Sequence, residues 1–291
     1  MSSTSSPLDM SPQASALTLP ELRAELDRID DAIHDLLMRR AAVVTQVAGT
    51  KGGVALRPGR EAQIIRRLLA RHEGALPAQV LPRIWRELIA ACTSMQGSYV
   101  IAVCEADANA GFVPCAREHF GALTRLRVHR SAAQAIGDVS AGRAIAAVLP
   151  MPAEEEVPSA AWWTALLHHD EPRIHVVARL PFWAPRSEGA PRAQALVVAA
   201  IAPDPSGQDR SLIGLELKPE TSRARLGAAL AAAGFATGAV ILRREGAVAR
   251  ALVDVEGLVA DADPRLDALG EVLRRPVVLG AYGVPVGGEN A

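Results

Sequence analysis

The fold of the amino-terminal region is decided by residues 19–51, which read LPELRAELDRIDDAIHDLLMRRAAVVTQVAGTK. This stretch has no Gly before Gly49 and no Pro after Pro20. Pro20 is tolerated in the first turn of a helix, and the Glu21 carboxylate complements the helix dipole there. Apolar residues recur at three- and four-residue intervals, which predicts one long amphipathic helix ending near Thr50. These residues are Leu22, Leu26, Ile29, Ile33, Leu37, Val44 and Val47.

Charged side chains fall on the apolar stripe of this helix. The stripe continues past Leu37 to Arg40 and past Val47 to Lys51, and these two cations differ by only about 20° around the axis. Arg23 lies roughly 100° from Arg40, so the two cannot easily serve one pocket within one chain. The helix would be about 45 Å long, and a helix of that length usually packs against a partner or lies across a dimer.

Two further helices are predicted, from about residue 58 to 72 and from about residue 77 to 96. The apolar stripe of the first begins with Glu61, and that of the second ends with Gln96. The burial of an unpaired charge is unfavourable, so the charged residues on these apolar stripes need an explanation. One explanation is internal pairing, for example of Arg40 with Glu61. The other is a pocket for a small dianion, which the excess of cations over carboxylates favours.

The composition excludes several other classes. Apolar residues make up 49% of the 291 residues and charged residues 22%, which is typical of a globular protein. A net charge of −1 and 3% aromatic residues give no basis for nucleic-acid binding. No apolar run is long enough to cross a membrane, no pattern resembles a metal site, and three cysteines indicate no disulfide framework. We therefore expect a cytoplasmic protein without metal, cofactor or membrane partner.

Residues 17–97 resemble the all-helical class of chorismate mutase. The resemblance rests on residues 19–51, on RPGREAQIIRRL (residues 57–68) and on IWRELIAACTSMQ (residues 84–96). The last of these is most similar to the mutase domain of bifunctional chorismate mutase–prephenate dehydratase proteins. The resemblance implies an intertwined homodimer that converts chorismate to prephenate in the biosynthesis of aromatic amino acids.

The resemblance also implies how the dianionic substrate is bound. Arg40 would bind one carboxylate, and Lys51 together with Arg23 of the partner subunit would bind the other. Lys51 is expected to act on the substrate's ether oxygen as well. This reaction needs no nucleophile, metal or redox group, because one C–O bond breaks as one C–C bond forms within the same molecule.

The remaining site residues lie on the second and third helices. By the resemblance, Gln96 would join Lys51 at the ether oxygen, Glu61 would bind the ring hydroxyl, and Arg60 would support Glu61 and the carboxylate region. Cys92 stands where some relatives have Ser. Arg57 stands where many relatives have an acidic residue. The predicted catalytic residues are Arg40, Lys51, Glu61 and Gln96; the predicted substrate-binding residues are Arg23, Arg40, Lys51, Arg60, Glu61, Cys92 and Gln96.

The rest of the chain predicts a multidomain protein. Strands and helices alternate over residues 98–208, which is typical of an α/β lobe. This part resembles one lobe of a prephenate dehydratase domain, and residues 209–286 resemble the α+β regulatory domain called ACT. The dehydratase motifs are missing, so we expect no dehydratase activity, and an amino-acid effector is left open. Residues 1–16 are predicted to be a disordered segment and residues 287–291 a tail.

Three alternatives remain open at this point. A bifunctional mutase–dehydratase would release phenylpyruvate from prephenate, and an isochorismate pyruvate lyase would release pyruvate from isochorismate. A non-catalytic regulatory homologue would bind a partner or metabolite without turnover. The complete set of cations argues against the last, because dimerisation alone would favour apolar residues at Arg40 and Lys51.

Overall fold

A computed structural model describes most of the chain in two compact units, Met1–Gly52 and Gly53–Ala291. Lys51 and the predicted disordered segment 1–16 lie outside the described residues, as do residues 288–291 of the predicted tail. The described residues are 17–50, 56–107, 110–168, 170–183, 185–186, 188–270 and 272–287.

Within residues 17–50, the described part of the first unit, the chain forms one helix, α1 (Leu19–Thr50), which has the predicted bounds. Its start is fixed by Thr18, whose backbone N–H and hydroxyl both donate to Glu21 Oε2, over 2.8 and 2.7 Å. The apolar side chains of α1 are largely exposed. Those on one face are Leu19, Leu22, Leu26, Ile29, Ile33, Leu36, Val43 and Val47, which we call the α1 stripe.

The second unit begins with two helices, α2 (Pro58–Ala70) and α3 (Val80–Ser94). Both were predicted, and each is two to three residues shorter at one or both ends than its apolar pattern indicated. Pro58 stands in the first turn of α2, where its missing N–H costs no hydrogen bond. Ala62 and Ile65 of α2 pack with Phe182, which follows the fourth strand of the sheet.

A nine-stranded sheet forms the rest of the second unit, in the order β2-β1-β3-β5-β4-β9-β6-β8-β7. The strands β1, β2 and β3 are parallel and are joined by α4 and α5, as the predicted α/β alternation requires. β5 pairs antiparallel with β3 and β4. The bounds are β1 Val100–Cys104, α4 Phe112–Phe120, β2 Arg125–His129, α5 Ala132–Ser140, β3 Ala146–Pro150, β4 His175–Leu180 and β5 Ala195–Ala199.

The carboxy-terminal part of the sheet has a ferredoxin-like β-α-β-β-α-β arrangement, with antiparallel strands in the order β9-β6-β8-β7. The predicted strand, turn and helix after residue 209 are confirmed as β6 and α6. The bounds are β6 Asp209–Leu217, α6 Arg223–Ala232, β7 Thr237–Glu245, β8 Val248–Glu256, α7 Pro264–Asp267 and β9 Val277–Gly283.

One sheet therefore runs across the boundary that we predicted at residues 208 and 209. The junction is the parallel contact of β4 with β9, where Val176 lies opposite Gly280. Gly280 has a φ of +139°, and a Cβ there would lie 2.1 Å from the carbonyl oxygen of Val176. Only glycine fits this position, so continuity of the sheet depends on it.

Candidate active site

The predicted site residues are divided between the two units. In the first unit, Arg23 is exposed on α1 and Arg40 is half-buried. The two residues are 17 positions apart, which places them about 25 Å apart along the helix axis. Lys51 lies outside the described residues.

Glu61 is the buried charge of α2. It is only 8% exposed, and its Oε2 accepts a hydrogen bond from Nη1 of Arg86 on α3, over 2.6 Å. Arg86 is equally buried, at 6% exposed. Burial raises the pKa of Glu61, Arg86 opposes that shift and Asp204 adds to it. Arg86 thus binds one carboxylate oxygen, and a hydrogen bond from the backbone of Arg57 also favours the ionised form of Glu61.

Arg86 was missed in the sequence analysis. Of the apolar stripe predicted for α3, Ile89 and Cys92 are buried, whereas Ile84, Trp85 and Leu88 are intermediate or exposed. Other residues buried on the same helix lie outside that stripe, and an apolar pattern does not reveal them because two of them are polar. They are Pro82, Arg86, Ala90 and Thr93.

The start of α2 is clamped by the loop that follows β5. Asp204 accepts the backbone N–H of Gly59 at Oδ1, over 2.8 Å, and that of Arg60 at Oδ2, over 3.2 Å. Arg57 Nε also donates to Asp204, over 3.1 Å. A Cβ on Gly59 would lie 2.2 Å from the Asp204 carbonyl oxygen, so glycine is required for this approach. Arg57, whose role the sequence left open, thus takes part in the clamp.

A second tie holds the middle of α2. Arg66 Nη1 donates to the carbonyl oxygen and the hydroxyl of Ser206, over 2.8 and 2.9 Å. Its guanidinium also lies 5.4 Å from the centre of the Phe182 ring. The helix that carries Arg60 and Glu61 is therefore fixed to the sheet at two places.

The other predicted residues of this unit lie at exposed or helix-end positions, except Cys92. Arg60 is exposed and donates to Gln63 Oε1, over 3.3 Å. Cys92 is buried on α3. Gln96 follows α3 and donates through Nε2 to the carbonyl oxygen of Cys92, over 3.1 Å. Gln96 thus occupies the end of α3 with its amide turned to the helix backbone.

The carboxyl ends of β1, β2 and β3 are where ligands bind in open α/β sheets. At this edge Glu105 accepts the backbone N–H groups of Gly111 and Val113, over 2.9 and 2.7 Å. The carboxylate of the chain itself thus occupies the start of α4, where an anionic ligand would otherwise be attracted. Among the described residues there is also no group of His, Cys, Asp or Glu that could hold a metal ion.

Residues 22–97 match the family model described as Chorismate mutase type II. This match contains every predicted site residue and confirms the resemblance inferred from the sequence. Among curated proteins, the bifunctional chorismate mutase/prephenate dehydratase of Aquifex aeolicus (strain VF5) is 35% identical over 29% of this chain and 25% of its own length. That of Neisseria gonorrhoeae (strain ATCC 700825 / FA 1090) is 33% identical over 32% of this chain and 26% of its own. The matched region thus spans about a quarter of these relatives.

Two solved structures are similar to part of this chain at low sequence identity. One is GqqA, described as a novel type of quorum quenching acylases. It is 17% identical, with 65% of this chain and 96% of that chain covered and a TM-score of 0.48. The other is prephenate dehydratase from Streptococcus mutans, 15% identical, with 64% and 98% covered and a TM-score of 0.46. Within the described residues, no helix is long and apolar enough to span a membrane.

Proposed function

We propose that this protein is a chorismate mutase, which rearranges chorismate to prephenate in the biosynthesis of aromatic amino acids. The observation that carries the proposal is the family match over residues 22–97, which includes the whole set of predicted substrate-binding residues. Within that set, three cations can bind the two carboxylates of the substrate: Arg23, Arg40 and Lys51.

The proposed reaction needs a rigid polar pocket and no reactive side chain. Holding the enolpyruvyl group over the ring lowers the entropic part of the barrier. Lys51 and Gln96 would donate hydrogen bonds to the ether oxygen, where negative charge grows as the C–O bond breaks. Loss of one such donor typically costs about 10²–10³ in rate. The Gln96 amide would have to turn from the Cys92 carbonyl oxygen to the substrate, which breaks one partly buried hydrogen bond.

Glu61 is proposed to orient the substrate ring. Its Oε2 is held by Arg86, so Oε1 can accept the ring hydroxyl. Arg60, next to it on α2, would add positive charge near the carboxylate region of the pocket. Cys92 would line the pocket as a small apolar side chain.

We further propose that the active form is a homodimer in which α1 packs against α1 of a second copy. Arg23 and Arg40 are about 25 Å apart on one straight helix, too far for both to contact one small ligand. Arg23 of the partner subunit can complete the pocket only if two chains combine. The α1 stripe supports this, since its side chains are 44–64% exposed. Covering each would contribute about 1 kcal/mol.

The carboxy-terminal part is proposed to be an ACT-like regulatory domain. Its ferredoxin-like strand order supports this, and phenylalanine or tyrosine is the effector class to test. We propose that dehydratase activity is absent, because Glu105 occupies the start of α4 and the dehydratase motifs are missing. No disulfide joins the three described cysteines, which fits action in a reducing compartment such as the cytoplasm.

The test is a product analysis with the purified full chain. Incubation with chorismate should yield prephenate, with isochorismate and prephenate supplied as alternative substrates in parallel reactions. Pyruvate from isochorismate would replace the proposal with a lyase, and phenylpyruvate from prephenate would make the protein bifunctional. Tight binding of chorismate without turnover would indicate a regulatory protein. Addition of phenylalanine or tyrosine to each reaction tests the effector.

A further inference from the structure

The Glu61–Arg86 pair connects the helices α2 and α3 to the sheet. The Arg86 guanidinium lies over the ring of Phe182, 5.4 Å from its centre, while its Nη1 donates to Glu61. Phe182 lies just beyond β4, about a hundred residues after these helices in the sequence. Arg66 lies at the same distance from this ring, so Phe182 contacts two guanidinium groups of the helices. Phe182, which follows β4, thus packs against the Arg86 guanidinium, and Arg86 in turn binds Glu61.

Two charged side chains from different elements act on Glu61, and they have opposite effects on its pKa. Arg86 on α3 favours the ionised carboxylate, whereas Asp204 in the loop after β5 disfavours it. Burial raises the pKa of Tyr99, just before β1, and the charge of Glu61 raises it further whereas that of Arg86 lowers it. His119 on α4 lies near Arg86, and burial together with that cation lowers the pKa of its imidazole. Loss of Arg86 would leave the hydrogen bond from the Arg57 backbone to oppose burial and Asp204, which both favour the neutral form of Glu61.

We infer that Arg86 is a positioning residue for the proposed mutase reaction: it fixes Glu61 Oε2 and so orients Oε1 toward the substrate's ring hydroxyl. The inference rests on the proposed function and extends it, because it gives the sheet-bearing part of the chain a role in the reaction. Phe182 belongs to this arrangement as the surface on which the Arg86 guanidinium rests.

The test compares the pH dependence of kcat/KM for chorismate in the wild type, Arg86→Met and Arg86→Lys. An opposite charge at this distance lowers a carboxyl pKa by about 1–3. Removing it should therefore move the acid limb of the profile upward by about 1–3 pH units and reduce kcat/KM at least tenfold on that limb. The Lys variant, which keeps the charge, should recover most of this loss. A profile of Arg86→Met that coincides with the wild type would overturn the inference.

Two further measurements keep the result decisive. The carboxyl ¹³C signal of Glu61 should titrate at a higher pH in Arg86→Met than in the wild type, and an unchanged midpoint would contradict the role of Arg86. This readout needs no turnover, so it separates failure of the inference from failure of the proposed function.

If Arg86→Met does not fold, Phe182→Leu should lower kcat several-fold with a smaller change in KM; unchanged kcat would overturn the inference. Arg67→Met, which removes an exposed cation of α2, is the matched control.

Discussion

Replacement of Gly280 by Ala should disrupt the junction that makes the two halves of the sheet continuous. The new Cβ would lie 2.1 Å from the oxygen, 2.5 Å from the nitrogen and 2.8 Å from the carbonyl carbon of Val176. These are backbone atoms of β4, which cannot rotate away as a flexible side chain would. The φ of +139° alone is worth about 1–3 kcal/mol of strain for a residue with a Cβ.

Together with the loss of close pairing between β4 and β9, we expect Gly280→Ala to lower the free energy of unfolding by about 4 kcal/mol. For a unit of this size this corresponds to a Tm lower by about 8–16 °C. Thermal unfolding followed by circular dichroism measures the shift. Gly137→Ala is the control, because no atom lies within 4 Å of its added Cβ and α5 should gain up to about 1 kcal/mol. A Tm of Gly280→Ala within 2 °C of the wild type would refute this account of the junction.

Three further predictions concern the helices and the sheet edge. Ile29→Asp on the α1 stripe should convert the proposed dimer to monomers in sedimentation velocity, whereas Ala24→Asp on the opposite side of α1 should not; equal behaviour of the two would contradict the dimer. Asp204→Ala removes the cap of α2 and should cost about 2 kcal/mol in urea unfolding, with Asp204→Asn intermediate; no loss would show that the clamp contributes nothing. Asp138 accepts hydrogen bonds from three side chains, Arg143, Arg127 and His129. Burial alone would raise the pKa of Asp138, but these three hydrogen bonds outweigh burial and hold the pKa well below its ordinary value. Its stabilisation should be complete above about pH 4 and lost at lower pH, so the difference between wild type and Asp138→Asn should shrink on acidification; a constant difference would refute this.

The helices and strands were largely predictable from the sequence because their signals are local. Thr18, Pro20 and Glu21 mark the start of α1, and an uninterrupted apolar period carries it to its predicted end. The segment from Trp162 to Leu167 forms a 3₁₀ helix, which the sequence does not distinguish from an α-helix. Its six residues are too few for the apolar period to separate the two forms.

The continuity of the sheet could not be predicted in this way. It depends on the contact of Val176 with Gly280, which are about a hundred residues apart. A glycine carries no side-chain pattern that would reveal its opposite strand. The same limit applies to Asp204, whose role as a cap of α2 arises only when a distant loop folds back.

Part of the candidate site was also predictable. Glu61 was singled out because a charge occupied an apolar position, and the structure places it in a buried ion pair. Arg86 was not, because it lies outside the apolar stripe predicted for α3. The roles of Arg23, Arg40 and Lys51 stay predictions, since they require two chains and one of the three lies outside the described residues.

The most direct test of the proposed chemistry is the rate of prephenate formation by the purified wild type and by Lys51→Ala, with the assembly state of both checked by sedimentation. We expect clear turnover by the wild type and a rate about 10²–10³ lower in the variant at unchanged assembly. Equal rates, or a wild type no faster than chorismate in buffer alone, would contradict the assignment of a cation-lined mutase pocket to this chain.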